Sequence, residues 1–128
     1  MLNFSFEWGC TGLVGNDPAS EIYVRNKGKT AEKLGFKSVH VSLPESASES
    51  EVLAQVKALN ADKSVHGILV QMPLPKQVRE SAVLDTLDPA KDVDGFHPVS
   101  LGRLVSGRPG LVACTPAGCM EILRRSSI

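Results

Sequence analysis

Polar and apolar positions alternate in one clear stretch of this chain. Val39, Val41 and Leu43 alternate with Ser38, His40 and Ser42, the two-residue period of a strand with one buried face, and Pro44 ends it. Ser48-x-x-Glu51 follows with the form of a capping box. Behind it Val52, Leu53, Val56 and Leu59 recur at helical spacing, giving an apolar face. Val65 to Met72 is a nearly unbroken apolar run, which reads as a strand covered on both faces, and Pro73 and Pro75 terminate it. Upstream, Asp17-Pro18 is a helix start signal, and the helix is predicted from about Ala19 to Leu34, closing at Gly35. Asn3 to Val14 is a candidate strand carrying Phe4, Phe6, Trp8, Leu13 and Val14, interrupted by Gly9 and Gly12. Downstream the pattern predicts a short helix over Glu80 to Leu87, a loop over Lys91 to Phe96 and one or two helical turns between Pro98 and Ser106. A last helix is expected with Thr115 as its cap and Pro116 at its first position.

Strand–helix–strand–helix–strand with connections this long predicts an α/β fold. The expected form is a three-layer domain whose parallel sheet is covered by helices, with right-handed crossovers. Ser38–Leu43 and Val65–Met72 are expected as neighbouring strands. Ligands of such sheets sit at the carboxyl ends of the strands, which directs attention to Gln71 and Met72.

Composition narrows the function. Lys plus Arg and Asp plus Glu both number 14, so a net charge of zero gives no electrostatic reason to expect nucleic acid or a membrane surface as partner. The basic run from Arg25 to Lys33 is the solvated face of a helix. Cys10, Cys114 and Cys119 form neither a disulfide framework nor a zinc spacing, so no metal is expected. The first twelve residues resemble neither a signal nor a transit peptide and no apolar run is long enough for a membrane span, so a cytoplasmic location is expected.

Chemistry-bearing candidates are few. Tyr23 and Lys27 are four residues apart, neighbours on one helix face; a lysine partly desolvated beside an aromatic can carry a proton near neutral pH. The plainer alternative is an amphipathic helix with an interfacial tyrosine and a solvated lysine. Gln71 closes an apolar strand and needs hydrogen-bond partners, either local backbone or a ligand. Asp92 and Asp94, in Lys91-Asp-Val-Asp-Gly95, have the form of a turn stabilised by aspartate bonding to its own backbone, and lack the remaining positions of a calcium loop. His66 and His97 stand alone.

Four segments taken together are similar to one family. Val14 to Lys27 (VGNDPASEIYVRNK), Val65 to Pro75 (VHGILVQMPLP), Pro89 to His97 (PAKDVDGFH) and Cys114 to Gly118 (CTPAG) resemble, in order and spacing, the signatures of the methylenetetrahydrofolate dehydrogenase/cyclohydrolase family. The resemblance covers roughly Leu13 to Arg125. It implies oxidation of methylenetetrahydrofolate with NADP, then hydrolysis of the methenyl product to formyltetrahydrofolate. It implies Lys27 as catalytic lysine with Gln71 as its partner, Tyr23 stacked on the folate, Asp94 hydrogen-bonded to the pterin, and Val70 and Met72 beside Gln71 in the substrate site. No residue for NADP is implied, because the sequence contains no G-x-G-x-x-G turn. The family pattern divides the chain into an atypical segment over 1–12, a folate-binding catalytic domain over 13–114 and the start of an inter-domain helix over 115–128. It further implies a homodimer. Two alternatives stay open: a non-catalytic folate-binding or dimerising fragment, and a short-chain dehydrogenase, whose active-site spacing Tyr23-x-x-x-Lys27 also matches.

Overall fold

A computed structural model of the chain describes residues 8–14 and 18–126, with side chains for Ile22 and for residues 25–126. Three strands form one parallel sheet: β1 (Trp8–Val14), β2 (Lys37–Leu43) and β3 (Gly67–Val70), in the order β2-β1-β3. Five helices accompany them, α1 (Pro18–Lys33), α2 (Glu49–Ala61), α3 (Glu80–Thr86), α4 (Pro98–Val105) and α5 (Cys114–Arg125).

The stretch expected as a doubtful, glycine-broken strand is the centre of the sheet. β1 pairs with β2 from Trp8↔Lys37 to Val14↔Leu43 and with β3 from Gly9↔Gly67 to Gly12↔Val70. Glycine weakens a strand by its backbone freedom. A strand with ladders on both edges has that freedom removed by its neighbours, so Gly9 and Gly12 do not break it. One expectation is corrected accordingly: β2 and β3 flank β1 and are not adjacent. Residues 8–12 pair in the sheet as part of the candidate strand over Asn3 to Val14.

The helix ends follow local chemistry. α1 closes in a Schellman arrangement: Gly35 has φ 85°, its N–H donates to Glu32 O at 3.0 Å, and Phe36 N–H donates to Ala31 O at 3.0 Å. The cap expected at Asp17 lies outside the described residues. α2 has the capping box its sequence promised, with Glu51 N–H donating to Ser48 Oγ at 3.3 Å and Ser48 N–H donating to Glu51 Oε2 at 2.8 Å. α5 departs from expectation. Its cap is Ala113, without a side-chain bond, and Thr115 and Pro116 lie inside the first turn. Proline is tolerated there because the first turn's N–H groups have no intrahelical partner to lose.

One core gathers Val52 and Val56 of α2, Ile68 of β3, Val83 of α3 and Leu87 just beyond it, with Val65, Val78 and Ala47 from the connections. Val41, Leu43, Leu53, Leu59 and Val70 pack around it. β3 is shorter than the apolar run that predicted it. His66 precedes the strand and is exposed, and Leu69 and Val70 are half-buried rather than covered on both sides. The reason is its far edge: among the described residues, only an isolated bridge to Asp92 stands beyond Ile68, with Ile68 N–H donating to Lys91 O at 2.7 Å. The loop expected from Lys91 to Phe96 therefore begins as an extension of the sheet.

Candidate functional site

The carboxyl end of β3 positions the first group. The chain leaves the strand at Val70, and half-buried Gln71 turns its amide back so that Nε2 donates to Met72 O at 2.8 Å. That bond fixes which amide atom faces outward. Lys27 Nζ, which can only donate, meets Gln71 Oε1 at 3.3 Å. Two side chains far apart in sequence thus meet, one from the third turn of α1 and one from the end of β3. Lys27 is exposed. Tyr23 lies one helical turn before it on α1, and its side chain is outside the described residues.

The second group comes from the loop after the bridge. Asp94 is half-buried, and burial holds its carboxyl above the usual aspartate range. The positive charge of Lys27 acts the other way, and the like charge of Asp92 adds to the rise. Asp94 therefore belongs to the electrostatic neighbourhood of Lys27. The two neighbouring acids differ sharply. Asp92 is 1% exposed and saturated with donors: Gly95 N–H at 3.0 Å and Phe96 N–H at 3.4 Å on Oδ1, His97 N–H at 2.9 Å and Ser100 Oγ at 2.7 Å on Oδ2. This is the aspartate-bonded turn expected from the sequence, extended to the first turn of α4. His97 caps that helix, its Nδ1 accepting from Val99 N–H at 3.0 Å.

Two glycines let the loop sit where it does. A Cβ on Gly67 would stand 2.5 Å from Val93 Cγ1, so only glycine lets β3 pass this close to the turn. Gly95 has φ +70°, and a Cβ there would lie 3.0 Å from Ala113 N and 3.1 Å from Leu111 O, both backbone atoms. Lys91 anchors the other side. Its Nζ donates to Leu59 O, Asn60 O and Asp62 O at 2.9, 2.7 and 2.7 Å, carbonyls at and just beyond the end of α2. Sequence reasoning assigned nothing to Lys91, Ser100 or the capping role of His97, because each acts on groups that only the tertiary fold brings near.

Lys27, Gln71 and Asp94 supply complementary chemistry: an amine that can hold a proton, an amide fixed with its oxygen toward that amine, and a carboxylate able to accept from a paired N–H donor. Val70 and Met72 flank Gln71 on the half-buried strand end. Among the described residues no group of His, Cys, Asp and Glu side chains could hold a metal, and no helix is long and apolar enough to cross a membrane. Cys114 and Cys119 are exposed free thiols.

Comparison with known proteins gives a consistent picture. The profile described as tetrahydrofolate dehydrogenase/cyclohydrolase, catalytic domain, matches residues 10–94. The chain is 53% identical over 122 residues to the bifunctional protein FolD of Agathobacter rectalis, a stretch that is 94% of this chain and 44% of that protein. It is 59% identical over 112 residues to the bifunctional protein FolD of Sphingobium chlorophenolicum, covering 88% of this chain and 35% of that one. Among solved structures, the bifunctional FolD methylenetetrahydrofolate dehydrogenase/cyclohydrolase of Campylobacter jejuni is similar with a TM-score of 0.89 and 43% identity, over 96% of this chain and 44% of that one. The Trypanosoma brucei methylenetetrahydrofolate dehydrogenase-cyclohydrolase, solved with NADP cofactor and inhibitor, gives a TM-score of 0.89 and 35% identity over 95% and 42%. The chain thus spans less than half the length of these relatives.

Proposed function

The chain belongs to the tetrahydrofolate dehydrogenase/cyclohydrolase family, and from that premise we propose that it builds the folate side of an enzyme that oxidises methylenetetrahydrofolate and hydrolyses the methenyl product to formyltetrahydrofolate. The observation that carries the proposal is the Lys27 Nζ–Gln71 Oε1 contact. It joins two motifs, remote in sequence, at the strand end where a parallel sheet presents its ligands. The same reading includes a three-layer arrangement, with α1 on the face of the sheet opposite α2 and α3, a homodimer and a cytoplasmic location.

Hydrolysis of a methenyl cation adds water to the bridging carbon and releases a proton. In this reading the amine of Lys27 takes that proton while Gln71 Oε1 keeps the amine in place, a form of general base catalysis. Asp94 accepts hydrogen bonds from the pterin, Tyr23 offers it an aromatic platform, and Val70 and Met72 flank the bound ring.

NADP is the hydride acceptor of the proposed oxidation. Its pyrophosphate has no cradle among the described residues: the connections after β2 and β3, residues 44–48 and 71–79, contain no glycine. Hydride transfer is therefore assigned to none of the described residues. These 128 residues by themselves are expected to bind folate, to hydrolyse methenyltetrahydrofolate weakly and to give no NADP reduction.

The test is hydrolysis of methenyltetrahydrofolate by the wild type and by Lys27→Met, which keeps the side-chain length without the amine. The variant is expected to lose about 100-fold or more in rate. A variant retaining more than about one-tenth of the rate would remove Lys27 from the chemistry.

A further inference from the structure

Asp92 is the one fully buried acid among the described residues, and the mechanism above gives it nothing to do. It cannot touch a ligand, because both carboxylate oxygens are occupied by Gly95, Phe96, His97 and Ser100. Those four partners bracket Asp94 on its C-terminal side, while the isolated bridge from Asp92 to Ile68 ties the N-terminal side to β3. Val93 between the two acids is wedged against Gly67. The residue carrying Asp94 is therefore clamped from the sheet and from the first turn of α4 by one carboxylate.

We infer that Asp92 is a positioning residue for the pterin-binding carboxylate of Asp94, acting through the Asp92–Ser100 contact that couples the turn to α4. The inference rests on the folate reading for the identity of the ligand, but the geometry of the clamp does not. Ser100 is itself buried at 6% exposure, and its Oγ makes the shortest of the four bonds, 2.7 Å. Asp92 also reaches Asp94 electrostatically, since its like charge disfavours ionisation of the neighbouring carboxyl. A scaffold residue placed this way sets both where the second carboxylate sits and how readily it ionises.

Two variants of the full chain test this. Ser100→Ala removes one donor and leaves the three backbone bonds to Asp92; Ser100→Thr restores the hydroxyl. Asp92→Asn removes the charge and turns an amide NH2 toward at least one backbone N–H donor, so it threatens the fold, and Ser100→Ala is the decisive member. The first readout is the titration of Asp94, followed by carboxyl NMR and assigned by the resonance missing in Asp94→Asn. The second is the affinity for tetrahydrofolate. Ser100→Ala is expected to stay folded, to shift the Asp94 titration, to weaken tetrahydrofolate binding several-fold, and to be rescued in both by Ser100→Thr. If Ser100→Ala lowers the melting temperature yet leaves the Asp94 titration and tetrahydrofolate affinity unchanged, Asp92 serves the fold alone and the inference is overturned. Absence of tetrahydrofolate binding by the wild type would instead sink the folate reading, and the titration arm would still decide the role of Asp92.

Discussion

Replacing Gly95 by alanine perturbs the fold and the candidate site together, and its cost can be worked from the structure. The backbone at Gly95 has φ +70°, a left-handed conformation that costs a residue bearing a Cβ about 1–2 kcal/mol. The added methyl would also stand 3.0 Å from Ala113 N, 3.1 Å from Leu111 O and 3.1 Å from Val112 C. These are backbone atoms of one segment, so no side chain can rotate aside and the segment itself must move, an overpacking cost of about 1–3 kcal/mol. The sum is about 2–5 kcal/mol, a large part of the ~5–15 kcal/mol that holds a domain folded. Gly107 provides an internal control. Its φ is +66° but nothing lies within 4 Å of its added Cβ, so Gly107→Ala should show the backbone cost alone. Urea unfolding followed by far-ultraviolet circular dichroism separates the two: at an m-value of about 2 kcal/mol/M, an excess of ~2 kcal/mol lowers the midpoint of Gly95→Ala by about 1 M relative to Gly107→Ala. Equal midpoints for the two variants would refute the argument that residues 111–113 press on Gly95.

The remaining predictions concern single charged groups. Asp94→Asn should weaken tetrahydrofolate binding yet gain stability relative to wild type as pH rises. A carboxyl raised above its ordinary 3.8 in the folded state is disfavoured when ionised, so the wild-type penalty is absent below 3.8 and grows above it. Melting temperatures of both proteins from acid to neutral pH check this. Glu49 behaves oppositely: bidentate bonding from Arg79 lowers its pKa from 4.5 to about 2, so its contribution is complete above 4.5 and is lost as pH falls toward 2. Glu49→Gln should therefore flatten the acid limb of the melting curve between those values. Lys91→Met should destabilise the fold by about 1–3 kcal/mol, since three carbonyls at the end of α2 lose a charged donor; chemical denaturation measures it.

Much of this fold was legible because local rules and tertiary context agreed. Ser48 and Glu51 announced the start of α2, Gly35 the end of α1, and the alternation through Val41 and Leu43 the strand β2, although Val39 of the same series is exposed. Legibility failed where long-range pairing overrode local preference. Gly9 and Gly12 argue against a strand, yet β1 is held by ladders on both edges. Thr115 and Pro116 have the form of a cap, yet the helix begins one residue before Thr115. The candidate site divides in the same way. Lys27 and Gln71 carried a motif resemblance, and their meeting is a fact of three dimensions. The roles of Asp92 and Asp94 were separable by sequence only through that resemblance, because the two acids have the same local pattern. Burial distinguishes them: one is enclosed by four donors, the other half-buried within reach of the charge of Lys27. Ser100 and Lys91 left no signal, since the groups they hold lie eight or some thirty residues away.

The central claim is that a folate binds at the carboxyl end of β3, between Lys27 and Asp94. Amide chemical-shift mapping during titration with tetrahydrofolate tests it most directly. The account predicts saturable perturbations concentrated at residues 70–72 and 92–97 and along α1 near Lys27, lost or much weakened in Asp94→Asn. Perturbations centred on α5 or on the outer edge of β2, or the absence of any saturable shift, would contradict it.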